Sequence, residues 1–136
     1  MSKLTLKEIG ELREKALECN LYAPCEYWDA TEKEIKKVTG GCGPESSRWY
    51  LVPDTVYGLS IRPACNIHDY MYQVGILEEE KKFADLMFLD NMVKIINKAT
   101  YLLRYVRKCR ANEYYLAVKL KGDSSFYTKE KGNEIK

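Results

Sequence analysis

His68 is the only histidine in the chain, so it is the only side chain whose unperturbed pKa lies near neutrality. Asp69 follows it directly. On a helix, adjacent side chains leave the axis about 100° apart, so the imidazole and this carboxylate can face one cleft without bonding to each other. A base of this pKa suits acid–base chemistry near neutral pH. A single histidine on a helix is more often structural than catalytic, however, so its other neighbours must decide.

Asp85 is the strongest of those neighbours. It lies three and four residues before Phe88 and Leu89, which belong to the apolar face of a predicted helix, so it continues that face. An ionised carboxylate that points into a core is costly unless it is paired. Two helices joined by a short link commonly pack antiparallel, which would bring Asp85 to His68. On geometry alone, a partly exposed Asp85 at the rim of the core remains equally open.

The surrounding elements are predicted to be helices, which makes the chain all-α. Pro63 favours a helix start and Gly75 a helix end, and three glutamates from Glu78 open the next helix, which should run to about Lys98. Further helices are predicted over residues 4–19, from Thr31 towards Val38, over 101–106 and over 114–120.

The chain is predicted to be a single domain with three parts. Residues 1–39 form an N-terminal helical segment, residues 40–120 the core, and residues 121–136 a polar, loose tail. Within the core, the segment from Gly40 to Pro63 holds most of the turn residues and is predicted to be one long ordered loop. Its many apolar side chains argue against disorder, so a functional loop is favoured.

Charge and composition exclude some classes of function. A net charge of +2 argues against nucleic-acid binding, which usually needs a concentrated basic face. The basic run Arg104–Arg110 is interpreted as a solvated helix face. No apolar stretch approaches the roughly 20 residues of a membrane-spanning helix, and no export signal is recognised. We therefore expect a cytoplasmic or phage-associated protein, unless another export route is used.

The catalytic-helix signature of phospholipases A2 resembles the run from Pro63 to Tyr72, which reads Pro-Ala-Cys-Asn-Ile-His-Asp-Tyr-Met-Tyr. The form found in the secreted bacterial and fungal group is the most similar. The likeness extends over roughly residues 40–120, through Cys42, through the helix that carries Asp85, and to the stretch Tyr114–Lys119.

This resemblance implies a fold, an activity and a cofactor. The fold has two antiparallel core helices that carry a histidine–aspartate dyad, together with a calcium-type loop. His68 would take a proton from the water that attacks the sn-2 ester of a glycerophospholipid, and Asp85 would orient the imidazole. Tyr72 would hydrogen-bond Asp85. Asp69 would bind Ca²⁺ together with the backbone carbonyls of Gly41 and Gly43, and the ion would stabilise the oxyanion.

The sequence departs from the pattern at the loop. Some bacterial relatives carry an aspartate just before the loop cysteine, where this chain has Gly40–Gly41. A second carboxylate ligand is therefore unassigned, with Asp54 as one possibility. Cys42 and Cys65 match the pair that forms a disulfide in exported relatives, although a reduced pair is equally compatible with a cytosolic location.

Two other functions remain open. A non-catalytic relative, such as a phage or prophage structural or interaction protein, would keep the scaffold without the chemistry. A lipid-binding protein that acts only as a surface has less support, because the sequence shows no strongly basic amphipathic helix.

Overall fold

The computed structural model describes the backbone of residues 5–39 and 52–135 and the side chains of residues 5–39 and 52–120. Its helices confirm the all-α class. The elements in chain order are α1 (Leu6–Glu18), α2 (Cys25–Asp29), α3 (Glu32–Thr39), β1 (Thr55–Val56), β2 (Leu59–Ser60), α4 (Arg62–Val74), α5 (Glu78–Lys98), a 3₁₀ turn (Tyr101–Leu103) and α6 (Arg104–Ile135).

Helices α4 and α5 form the centre of the fold, and the sequence sets their ends. Pro63 lies in the first turn of α4, where its missing N–H costs nothing, and the Gly75 N–H caps the other end by donating to the Met71 carbonyl. Only residues 75–77 join the two helices, so α5 must turn back along α4. Accordingly, Pro63 at the start of α4 lines the same cavity as Ile95 and Lys98 at the end of α5.

The core is built where α1, α3 and α6 pack against this pair. Large side chains from several elements are fully buried there, including Ile9, Tyr27, Ile35, Ile67, Phe88, Met92 and Ile96. Two hydrogen bonds of one α5 side chain hold the connection between α1 and α2: the amide of Asn91 accepts from the Tyr22 N–H at 2.8 Å and donates to the Tyr22 carbonyl at 2.9 Å. The Asn91 amide thus satisfies both backbone hydrogen-bonding groups of Tyr22, which lies outside any helix or strand.

A small hairpin precedes α4. Thr55 pairs with Ser60 and Val56 with Leu59, around a turn in which both Tyr57 (φ 47°) and Gly58 (φ 77°) have positive φ. Positive φ at both central residues is the geometry that matches the twist of a two-residue hairpin. The predicted long ordered loop from Gly40 to Pro63 thus contains a hairpin that the sequence did not predict and ends where α4 begins at Arg62, while residues 40–51 lie outside the described residues.

Two other predictions need correction. Helix α2 was not predicted, because five residues are too few to show a helical period. The C-terminal region was predicted as two short helices, over 101–106 and 114–120, followed by a loose tail from Lys121. The backbone is instead one helix of 32 residues from Arg104 to Ile135. Polar composition indicates exposure to water, but lysine and glutamate are good helix formers, so it does not exclude a helix.

Among the helices in the described part of the chain, none has the length and apolar character needed to cross a bilayer.

Candidate functional site

The structure joins His68 on α4 to Asp85 on α5. The distance from His68 Nε2 to Asp85 Oδ1 is 2.6 Å, and the two side chains are only 1% and 4% exposed. Asp85 therefore faces the core and has a hydrogen-bond partner, as a buried carboxylate needs. The alternative, a partly exposed Asp85 at the rim of the core, is wrong. A charge-assisted bond of this length in a buried setting is among the stronger polar contacts in proteins.

The hydrogen bond also determines which ring nitrogen could act as a base. An ionised carboxylate only accepts, so in the state with Asp85 ionised the proton of this bond belongs to Nε2. In the neutral imidazole the lone pair is then on Nδ1. Asp85 therefore fixes both the orientation of the ring and its tautomer, which are the two tasks of the acidic partner in hydrolytic triads.

Aromatic rings surround the imidazole. The Phe88 ring is tilted by 30° relative to it, with centroids 4.7 Å apart, and the centroid of the Tyr72 ring lies 5.7 Å away. Phe88 was predicted only as part of the apolar face of α5. Its spacing of three residues from Asp85 is the signal that it shares the side of the helix on which the carboxylate meets His68.

Tyr72 is buried and lies one helical turn beyond His68 on α4. Its ring also packs beneath a cation from the next helix, because the Lys81 Nζ lies 4.5 Å from the ring centroid. The hydrogen bond from the Tyr72 hydroxyl to Asp85, which the family resemblance implies, stays a prediction.

Asp69 is buried beside His68, at 6% exposure. The thiol of Cys65, one turn earlier on α4, shows which other charge lies near Asp69. Burial raises the pKa of the Cys65 thiol, and the negative charges of Asp54 and Asp69 raise that pKa further. The carboxylate of Asp54, which comes just before the hairpin, is thus in electrostatic range of the same thiol as Asp69. Asp54 is also 3.7 Å from the Arg62 guanidinium.

The predicted calcium ligands are only partly within the described residues. Asp69 is a hard oxygen donor of the type that Ca²⁺ takes, so it fits as one ligand. Gly41 and Gly43, the predicted carbonyl donors, lie outside the described residues, as does Cys42. Among the side chains that are described, no group of three or more His, Cys, Asp or Glu residues could hold a metal ion. The predicted set has a single assigned carboxylate, so its remaining ligands depend on the backbone of residues 40–51.

Cys65 carries a free thiol, as the reduced form of the Cys42–Cys65 pair would, and Cys42 itself lies outside the described residues. Cys19, Cys25 and Cys109 are also free, which leaves no disulfide among the cysteines of the described residues. Within the described part of the segment before α4, hydrogen bonds from α6 hold the hairpin. In the hairpin, the Arg107 guanidinium donates to the Tyr57 carbonyl at 2.9 Å, and the Tyr114 hydroxyl donates to the Thr55 carbonyl at 2.9 Å.

A cavity of about 370 Å³ lies between α1, the hairpin and the ends of α4 and α5 that meet. Its lining mixes charged and apolar side chains, among them Glu8, Lys15, Arg62, Leu12, Leu59 and Ile95. His68 and Asp85 do not line it. A substrate would therefore have to reach the imidazole by another route.

No protein-family model, curated protein or solved structure matches this chain. The functional argument therefore depends on the geometry of the site and on the resemblance of the α4 motif.

Proposed function

We propose that this protein is a phospholipase A2-like hydrolase, which cleaves the sn-2 ester of glycerophospholipids with His68 as the general base. The observation that carries the proposal is the buried 2.6 Å contact between His68 Nε2 and Asp85 Oδ1 on two adjacent helices. It orients a base whose unperturbed pKa is close to neutral pH, and it leaves the lone pair on Nδ1 for a water molecule.

The roles of the remaining residues follow from this assignment. Proton transfer from water to His68 Nδ1 produces an imidazolium, which the carboxylate of Asp85 stabilises across the hydrogen bond. The Tyr72 and Phe88 rings pack near the imidazole and would help to hold its orientation. A calcium ion, held by Asp69 with the carbonyls of Gly41 and Gly43, would polarise the ester carbonyl and stabilise the negative charge that develops on its oxygen.

The direct test measures fatty-acid release from mixed phospholipid vesicles by the purified protein, with millimolar calcium or with a chelator. We expect calcium-dependent release that falls by about 10²–10⁴-fold in His68→Gln, because the base is lost while a polar side chain remains. Gln73→Ala is the matched control, since this exposed residue belongs to the same helix. Absence of release from folded wild-type protein under both conditions would refute the hydrolase.

A second candidate, the non-catalytic scaffold, is favoured by one observation. The His68 side chain is only 1% exposed, whereas a general base must reach its water and its substrate. On this hypothesis the His68–Asp85 pair is an element of the core. Circular dichroism of Asp85→Asn, combined with the release assay, separates the two: the scaffold predicts a structural effect alone, whereas the hydrolase predicts a loss of turnover in a variant that remains folded.

A further inference from the structure

The reversal between α5 and α6 exposes an unusual run of apolar side chains. Tyr101, Leu102 and Tyr105 are 78%, 83% and 79% exposed, and Leu103 and Val106 are exposed as well. We call residues 101–106 the apolar tip. Burial in the core does not account for these side chains, since the first fully buried residue of α6 is Ala111. Exposed apolar groups that are contiguous, unlike scattered ones, commonly mark an interaction site.

The fold holds the tip as a projecting turn. Helix α5 ends at Lys98, the 3₁₀ turn spans Tyr101–Leu103, and α6 starts at Arg104 and runs back along α5. The Arg104 guanidinium donates to the Asn97 carbonyl at 3.1 Å and so ties the two sides of the reversal together. With Tyr101 and Leu102 78% and 83% exposed, the side chains of the tip project into solvent rather than line a groove.

Cationic side chains flank the tip along the sequence and form what we call the positive band. The chain has no acidic residue from Asn91 to Asn112, and between these positions five cations follow Lys94: Lys98, Arg104, Arg107, Lys108 and Arg110. Of these five, Arg110 pairs with Glu113 at 3.3 Å. Arg107 donates to the Tyr57 carbonyl and Arg110 also to the Tyr57 hydroxyl, which are uncharged acceptors and do not neutralise either cation. The band therefore remains positive.

We propose that the apolar tip inserts into an anionic lipid surface while the surrounding cations contact the lipid headgroups. Tyrosine is enriched at the boundary between hydrocarbon and water, and each lysine or arginine near an anionic bilayer adds to its attraction. Shape and charge together select this partner. Side chains as exposed as Tyr101 and Leu102 do not line a groove for a protein segment, and two copies of the chain meeting there would bring their positive bands together.

The inference changes the interpretation of Arg104–Arg110 as a solvated helix face. The sequence showed the cations, but it did not show that the apolar residues between them are exposed. The proposal deepens the proposed function and depends on it for the class of partner, because a hydrolase of aggregated lipid must first bind the aggregate. Binding does not require turnover, however, so the two can be measured separately.

The test is co-sedimentation of the full chain with vesicles of phosphatidylcholine alone or of phosphatidylcholine mixed with phosphatidylglycerol. We expect binding to the mixed vesicles that weakens as salt is raised. Leu102→Ser should weaken it at least about tenfold, because a large apolar side chain no longer enters the membrane. Ile76→Ser is the matched control, since Ile76 is 81% exposed in the α4–α5 connection, and should bind as wild type does.

The charge is tested in the same assay. Lys108→Gln should weaken binding to the anionic vesicles about fivefold, whereas Lys33→Gln on the exposed side of α3 should not. Absence of binding to the anionic vesicles overturns the proposal, as does binding that Leu102→Ser leaves unchanged. A concentration-dependent dimer by light scattering that Leu102→Ser abolishes would also overturn it, by showing that a second copy covers the tip.

Failure of the proposed function gives a different result. Vesicle binding that His68→Gln retains, with no fatty-acid release by either protein, would support docking and refute the hydrolase. Release from dispersed short-chain phospholipid, with no binding to either kind of vesicle, would support the hydrolase and refute docking.

Discussion

Leucine substitutions at His68 and Asp85 would measure what this contact contributes to folding. Both side chains are almost fully buried, with the Phe88 ring packed against the imidazole, so an apolar side chain of moderate size suits either position. The four proteins of the cycle are wild type, His68→Leu, Asp85→Leu and the double variant. The cycle separates the coupling between the two positions from the effect of each substitution alone.

The structure predicts unequal costs for the two single variants. His68→Leu leaves a carboxylate that is 4% exposed without its imidazole donor, which should lower the free energy of unfolding by about 3–5 kcal/mol. Asp85→Leu leaves an imidazole that can remain neutral, so the loss should be about 1–3 kcal/mol. The double variant contains neither polar group, and its stability should lie within about 1–2 kcal/mol of wild type.

Urea unfolding at neutral pH, followed by far-UV circular dichroism, provides the measurement. Asp90→Leu is the control, because Asp90 lies on the same helix, is exposed and pairs with Lys94 at 3.1 Å; its loss should cost about 0.5 kcal/mol or less. The reasoning is refuted if the double variant loses about the sum of the two single variants, since the two side chains would then contribute independently.

Three further predictions concern the frame around the site. Replacing Asn91 by Leu removes both hydrogen bonds to the Tyr22 backbone and should lower the free energy of unfolding, measured in urea, by about 2–4 kcal/mol. A decrease below about 1 kcal/mol would show that this amide does not hold the connection between α1 and α2. Gly58→Ala should cost about 1–2 kcal/mol from positive φ alone, because nothing lies within 4 Å of an added Cβ, and Gly58→Asn should cost less. Burial and nearby carboxylates raise the pKa of the Cys65 thiol, so this thiol stays protonated at about pH 8. Iodoacetamide should therefore label the exposed Cys109 at least about tenfold faster than Cys65, as measured by peptide mass spectrometry. Equal labelling rates would contradict the position of Cys65 beside carboxylates.

The central helices could be predicted because their signals are local and agree with one another. Pro63 and Gly75 mark the ends of α4, and the acidic first turn from Glu78 marks the start of α5. The contact of His68 with Asp85 could be anticipated for a different reason. A carboxylate on an apolar face needs a partner, and a short connection brings the neighbouring helix, with the only histidine, against it.

The hairpin and α6 could not be predicted in the same way. Each strand has two residues, which is too few for an alternating pattern, and contacts from α6 fix their position. One example is the Tyr114 hydroxyl, which donates to the Thr55 carbonyl 59 residues away. No local pattern contains such a contact. The exposure of the apolar tip could not be predicted for a related reason. An apolar residue in a sequence can be buried or exposed, and only its contacts with distant parts of the chain decide which.

The physical cost of the buried pair connects the stability cycle to the proposed function. Taking an imidazole and a carboxylate out of water is costly, and a well-packed apolar pair is often as stable or more so. If the double leucine variant folds as well as wild type, stability does not explain why His68 and Asp85 are held 2.6 Å apart in the core. Loss of fatty-acid release in that equally stable protein would then assign the pair to the reaction. Loss of stability in the double variant, with no release by wild type, would instead make the pair part of the scaffold.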